Sequence, residues 1–205
     1  MTNPHRKLAV LLSLVGVLTA TSALLIVLAP PPLAAQAPTY DNLWATGNDD
    51  SGSQLAQVVF NTKVPARASR WKYIYVHQTG TATGNSLTLA SAPGGLGDHF
   101  VIGNGLGCPD GQIQMCQRWM NQTSPAAPAG AQSIDPACIS IGLVGNFSLA
   151  APTETQVRRL AQLVIALQSQ LGIGADRVVL LAGAPGPAGI GKLFPVDYLR
   201  QQLLP

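Results

Sequence analysis

Residues 139–147 read ISIGLVGNF, an uncharged run rich in β-branched residues that predicts a buried β-strand. Shortly after it, residues 152–156 read PTETQ, in which Thr153 can cap a helix and Gln156 stands three positions later, as in a capping box. Gly172 predicts where that helix ends. Between the two signals, apolar residues recur at helical spacing: Val157, Leu160, Val164, Leu167 and Leu171.

Shorter runs on both sides of this unit predict further strands. Residues 71–77 (WKYIYVH) are dense in aromatic and β-branched side chains, and residues 100–103 and 112–115 flank a glycine-rich segment that ends in Asp110-Gly111. Residues 177–181 predict another strand and residues 197–203 a brief closing helix, whereas residues 55–64 fit either an edge strand or a short helix. This order favours an α/β or α+β domain with a central sheet covered by helices, and of the two we expect the α/β class, a central mixed β-sheet flanked by helices.

The N-terminal segment predicts export. His5, Arg6 and Lys7 precede an uncharged apolar run that ends near residue 29. Its length favours a hydrophobic helix retained as a signal anchor, and a signal peptide cleaved near Ala35-Gln36-Ala37 stays open. We therefore expect residues 1–29 to be an anchor or signal peptide, residues 30–53 a flexible linker, and residues 54–205 the folded domain. The domain is expected outside the cytoplasm, membrane-anchored, or secreted or periplasmic if cleaved.

The charge of the chain argues against a nucleic-acid partner. The formal net charge is only +3, and the sequence has no run of Lys or Arg interleaved with aromatic residues.

Three cysteines fall in the exported part of the chain. Cys108 and Cys116 flank the Pro109-Asp110-Gly111 turn, so a disulfide across this hairpin is expected, and Cys138 would be left over. A zinc site built from these thiols is disfavoured because no C-x-x-C spacing and no neighbouring histidine cluster are present.

Three segments together resemble the N-acetylmuramoyl-L-alanine amidases that share their fold with peptidoglycan-recognition proteins. Residues 71–79 (WKYIYVHQT) are similar to the strand that ends in the family's His-His-Thr motif. Residues 99–105 (HFVIGNG) with 110–113 (DGQI) resemble its Tyr-His-Phe-x-Ile…Asp-Gly-x-Ile segment. Residues 140–147 with 152–156 resemble its Ile-Gly-Ile-x-Leu-Val-Gly-Asn-Phe strand and the helix start that follows.

The resemblance implies a zinc ion held by three protein ligands, with an open position for water. His77 matches the first ligand position, but residues 180–184 (LLAGA) contain no histidine for the second, and Gly189 stands at the third. Three supporting positions of the family are also altered, at Asp98, Gln132 and Pro187. No cofactor is therefore expected, unless zinc binds a rearranged site assembled from His77, His99, Asp98 and Asp110.

The resemblance also suggests residues that contact a ligand. Thr79 begins a polar loop at the mouth of the expected groove, and Asp98 stands at the family's tyrosine position. Arg118 and Trp119 could contact a glycan by hydrogen bonding and stacking, although a tryptophan at this point is as often part of a core.

The hypothesis that these observations favour is a non-catalytic peptidoglycan-binding module, held at the membrane by its N-terminal helix. The first alternative is an active zinc-dependent amidase that cleaves the amide between the lactyl group and L-alanine of peptidoglycan. The second is a module that binds another protein of the cell envelope.

Overall fold

The computed structural model describes residues 51–92, 94–128, 133–180 and 189–205. Within these ranges the helices are α1 (Ser51–Val59), α2 (Ser86–Ala90), α3 (Gln117–Met120), α4 (Glu154–Leu171) and α5 (Val196–Gln202). The strands are β1 (Tyr73–Gln78), β2 (Phe100–Ile102), β3 (Ile113–Met115), β4 (Cys138–Leu143) and β5 (Val178–Leu180). Two short 3-10 turns, Ala68–Arg70 and Ala175–Arg177, precede β1 and β5.

The strands of the described residues form one five-stranded sheet in the order β3-β2-β4-β1-β5. β1 pairs in parallel with β4 and β5, β2 pairs in parallel with β4, and β3 is an antiparallel edge strand against β2. The predicted central mixed sheet flanked by helices is confirmed. Residues 1–50, which include the predicted hydrophobic helix, lie outside the described residues. No helix in the described ranges has the length and apolar character needed to span a bilayer.

Helix α4 forms as its sequence predicts. Thr153 Oγ1 accepts a hydrogen bond from Gln156 N at 2.9 Å, and Gln156 Oε1 accepts one from Thr153 N at 3.2 Å, which completes a capping box. The helix stops at Gly172, whose φ of 68° is left-handed and whose N–H donates to Gln168 O. Residues next to each end of α4 therefore determine where the helix begins and where it stops.

The two faces of the sheet differ in what covers them. Side chains alternate along β1 and β4, so Ile74 and Val76 share a face with Ile139 and Ile141, and these residues join the apolar side of α4 in the main core. Tyr75 and the site residues described below occupy the opposite face. A smaller apolar cluster, with Leu89 and Leu96 packed against it, covers only part of this second face.

The expected disulfide between Cys108 and Cys116 does not form; all three cysteines carry free thiols. Cys116 N donates to His99 O at 2.8 Å, so Cys116 lies level with His99, while Cys108 Sγ lies against Gly103. Gly103 is four positions after His99, roughly 13 Å along an extended strand, whereas a disulfide needs Cα atoms no more than about 7 Å apart. The register of the β2–β3 hairpin places the two thiols at opposite ends.

Candidate functional site

The C-terminal end of β1 places His77 on the partly covered face of the sheet. In the register of the parallel strands, His77 lies beside Gly142 of β4, and Gly142 in turn lies beside Val101 of β2. A Cβ added to Gly142 would lie 2.9 Å from Asp98 Oδ2. Glycine at this position therefore leaves the space into which the Asp98 carboxylate fits.

His77 and Asp98 form a buried pair. His77 Nε2 lies 2.7 Å from Asp98 Oδ1, and the two residues are 2% and 5% exposed. His77 Nδ1 donates to Gln78 O at 2.9 Å, and the ring of Tyr75 stacks on the imidazole with centroids 5.3 Å apart. Both ring nitrogens therefore face oxygen acceptors, and the ring plane is held in place.

The carboxylate of Asp98 has a second donor, since Ser140 Oγ hydrogen-bonds to the same Oδ1 atom. Burial alone would raise the pKa of Asp98. The charge of His77 and the hydrogen bonds from His77 and Ser140 outweigh burial and hold that pKa below its usual 3.8. The carboxylate form of Asp98 is therefore favoured in the folded chain.

His99 follows Asp98 in sequence but packs into the core. Its ring lies between Trp71 and Trp119, Nε2 donates to Thr123 O at 2.8 Å, and Nδ1 accepts from Ser140 N at 3.0 Å. Burial lowers the pKa of His99 to about 4. His99 is thus a neutral structural histidine with both nitrogens in use.

The order of these groups is not that of a nucleophilic triad. A serine nucleophile needs a base that accepts its proton, whereas Ser140 Oγ donates to a carboxylate that already holds His77. Ser140 is also fully buried, so a substrate has no access to its hydroxyl. The network can hold the ends of the strands together and present an uncharged floor to a ligand.

A cavity of about 300 Å³ lies over this pair. His77 and Asp98 form part of its lining together with Thr79 and Thr81, so three predicted site residues, His77, Thr79 and Asp98, meet here. The other lining residues are small or apolar: Leu89, Ala92, Gly94, Gly95, Leu96, Gly97, Ala126, Ala127 and Pro128.

The two remaining predicted contact residues have structural roles. Trp119 is fully buried in the core and donates from Nε1 to Val59 O at 2.6 Å, so its ring is not available to stack on a glycan. Arg118 donates to Leu96 O at 3.3 Å and to Ser124 O at 2.8 Å. Its guanidinium therefore ties the loop that carries Asp98 to the loop after α3, outside the cavity.

Residues 67–187 match a protein family described as N-acetylmuramoyl-L-alanine amidase. The match covers more than half of the chain, and the chain therefore belongs to this family. A search of the curated proteins finds no match.

Three solved structures are similar to this chain at low identity. The endolysin N-acetylmuramoyl-L-alanine amidase LysCS from Clostridium intestinale is 18% identical, over 70% of this chain and 90% of its own, with a TM-score of 0.44. PGRP-Hd from Alvinella pompejana is 19% identical, over 68% of this chain and 85% of its own, with a TM-score of 0.42. The amidase LysC from Clostridium intestinale is 19% identical, over 70% and 92%, with a TM-score of 0.42.

The zinc ion implied by the resemblance does not fit the residues present. A histidine ligates zinc through a nitrogen lone pair, yet both nitrogens of His77 are directed at internal acceptors. Gln78 N donates to Gly189 O at 3.1 Å, so the third ligand position does lie next to His77, but it has no side chain. Residues 181–188, outside the described ranges, read LAGAPGPA and contain no residue that could supply an imidazole, thiolate or carboxylate.

The rearranged zinc site is not assembled either. Asp110 lies near the start of α4, where its carboxylate accepts from Thr153 Oγ1 at 2.6 Å, and His99 is in the core. No group of three His, Cys, Asp or Glu side chains in the described ranges converges on a point. Every buried side-chain nitrogen or oxygen of the described residues also has a hydrogen-bond partner, so no orphaned atom there awaits a metal.

Sequence reasoning missed Ser140 and Gly142 as parts of this site. A serine and a glycine within an apolar strand are the only signal, because a buried strand has no need of either for packing. Their role becomes visible only when β4 lies between β1 and β2.

Proposed function

We propose that this chain is a non-catalytic peptidoglycan-binding module, exported by its N-terminal segment. The observation that carries the proposal is the internal pairing of His77. Its two ring nitrogens contact Gln78 O and Asp98 Oδ1, although the family's chemistry needs one of these nitrogens as a metal ligand. Membership of the amidase family supports peptidoglycan as the partner. The cavity beside the pair supplies a place for a small part of that polymer.

Cosedimentation tests the binding part of the proposal. Detergent-solubilised full-length chain is mixed with purified peptidoglycan sacculi and centrifuged, and the bound fraction is measured. Ala92→Trp places a large ring at the cavity wall and should weaken binding about tenfold. Ala90→Trp is the matched control, because Ala90 is exposed nearby and is not a lining residue, and it should bind as the native chain does.

The same preparation tests the catalytic part. With zinc added in excess, the proposal predicts less than stoichiometric bound metal after dialysis and no release of peptide stems from sacculi. Stoichiometric zinc together with stem release, both lost in His77→Ala, would establish an active amidase instead. Absent cosedimentation would remove peptidoglycan as the partner and favour an envelope protein, to be sought by crosslinking.

Export and membrane attachment are tested separately from binding. We expect alkaline phosphatase fused after residue 205 to be active, because the enzyme requires an oxidising compartment for its disulfides. N-terminal sequencing of the mature protein then distinguishes a retained anchor from cleavage near Ala35-Gln36-Ala37. An inactive fusion would overturn export.

A further inference from the structure

The cavity over His77 and Asp98 has an unusual balance of charge. Among its lining residues, His77 and Asp98 are the ionisable ones, and the other polar side chains are the hydroxyls of Thr79 and Thr81. The pair has no net charge in either protonation pattern that its geometry allows. An imidazolium beside a carboxylate and a neutral imidazole beside a carboxylic acid both sum to zero, because one proton lies between Nε2 and Oδ1.

Neighbouring cations do not alter this balance. The Arg118 guanidinium donates to Leu96 O and Ser124 O, and Arg70 lies over the Trp71 ring and donates to Ser124 Oγ. Neither lines the cavity. The loop residues outside the described ranges, 93, 129–132 and 181–188, read P, AGAQ and LAGAPGPA and carry no charged side chain.

One hydroxyl at the cavity has a hydrogen to donate. Thr79 Oγ1 accepts from Gly145 N at 3.2 Å and from Thr81 N at 3.4 Å, which occupies both of its lone pairs. Its own hydrogen therefore goes to Thr81 Oγ1, 2.9 Å away. The Thr81 hydroxyl hydrogen is then available to an acceptor in the cavity.

We infer that this cavity binds an uncharged amide, an acetamido or carboxamide group whose carbonyl accepts from Thr81, and that it disfavours a free carboxylate. A carboxylate that reaches the floor of the cavity would lose part of its hydration and meet no cation except the His77 imidazole, whose charge Asp98 already balances. An uncompensated charge beside largely apolar walls is costly. The free-energy cost of desolvating an uncharged amide is far smaller, and its carbonyl oxygen can accept a hydrogen bond from the Thr81 hydroxyl. The inference rests on the proposed function, since peptidoglycan offers both kinds of group.

A matched pair of probes tests the inference. Propanamide and propanoate are matched in size, differ in one charge and carry no second amide group, and their affinities for the full-length chain in detergent can be measured by ligand-observed NMR titration. The amide should bind at least about tenfold more tightly at neutral pH. Equal affinity, or tighter binding of the acid, would overturn the inference.

Variants at the cavity separate its two components. Thr81→Val keeps the shape but removes the hydroxyl and should weaken binding of the amide by about tenfold, with Thr81→Ser restoring it. Ala92→Arg supplies a cation to the lining and should reverse the preference toward the acid, whereas Ala90→Arg should leave the preference unchanged. An unchanged preference in Ala92→Arg, in a variant whose circular dichroism is native, would show that charge does not select the ligand.

The outcomes also distinguish this inference from the function on which it rests. Sacculi that cosediment with the chain while the two probes bind equally would reject only the preference for an amide. Chain that binds neither sacculi nor either probe would reject the peptidoglycan-binding function itself.

Discussion

The protonation state of His77 is determined by its two acceptors, Gln78 O and Asp98 Oδ1. A carbonyl oxygen can only accept a hydrogen bond, so Nδ1 carries a hydrogen. The other ring nitrogen, Nε2, shares a proton with the Asp98 carboxylate. Removing one member of a buried ion pair commonly costs about 3–5 kcal/mol, because the other charge is left without a partner. Asp98 therefore stabilises the site and forms a hydrogen bond with the imidazole nitrogen, Nε2, that a metal ion would need as a ligand.

His99 provides a prediction for the pH dependence of stability. Its pKa is lowered to about 4 from an ordinary 6.5, so between those pH values the unfolded chain binds a proton that the folded chain excludes. Stability should therefore fall by about 3 kcal/mol as the pH drops from 6.5 to 4. Urea denaturation across this range measures the loss, and His99→Gln, which does not titrate, should show a smaller one.

Asp98 contributes at lower pH than His99. Its folded pKa is depressed, so its contribution to stability is present above pH 3.8 and is lost only as the pH falls through the folded pKa.

Equal pH dependence of stability in the native chain and in His99→Gln would contradict the assignment to His99 of the stability lost between pH 6.5 and 4.

Strand β4 connects the elements that form the site. It pairs with β1 on one side and with β2 on the other. Its Ser140 contacts the two residues that precede β2: Oγ donates to the Asp98 carboxylate, and the backbone N–H donates to the His99 ring. Because β2 begins only at Phe100, the Ser140 N–H meets the ring of His99 in place of a strand partner. The position of Asp98 thus depends on where β2 starts.

A substitution in β4 tests this arrangement. Gly142→Ala places a methyl group against the Asp98 carboxylate, which is held by two hydrogen bonds and cannot move freely. The expected loss in the free energy of unfolding is about 1–3 kcal/mol, measured by urea denaturation. Gly174→Ala is the control, because the added methyl group meets only the exposed end of Asp176, and it should cost much less. Equal losses in the two variants would mean that Asp98 is not confined by Gly142.

The described domain is held together without a covalent crosslink or a metal site in the described residues. Its stability comes from the apolar core between the sheet and α4, together with the buried polar network on the other face. Burial raises the pKa of the Cys138 thiol to about 12 and also raises that of Cys116, so both thiols should react slowly in the native chain.

Thiol counting tests this description of the chain. Dithionitrobenzoate should titrate three thiols per chain in guanidinium chloride, matching the three cysteines of the sequence, and should react slowly with the two buried ones in native conditions. A reductant should leave the melting temperature unchanged. One thiol per denatured chain, rising to three after reduction, would instead establish an intramolecular disulfide.

Much of the architecture follows from local signals. The capping box at Thr153, the stop at Gly172 and the β-branched runs of β1 and β4 specify their own elements, because each acts through neighbours a few residues away. The sequence left the role of Trp119 open between glycan contact and core packing, and its prediction of a disulfide between Cys108 and Cys116 was wrong, because burial and hairpin register depend on distant parts of the chain.

By itself the sequence determined the family, the mixed sheet with its long helix, and the lack of any metal-ligating side chain in residues 181–189. Only the tertiary structure decided what His77 binds. Asp98 is 21 residues from His77, and Ser140 is 42 residues from Asp98. Their contact requires the parallel register of three strands, the bend at His99 and the missing side chain of Gly142, none of which a local pattern encodes.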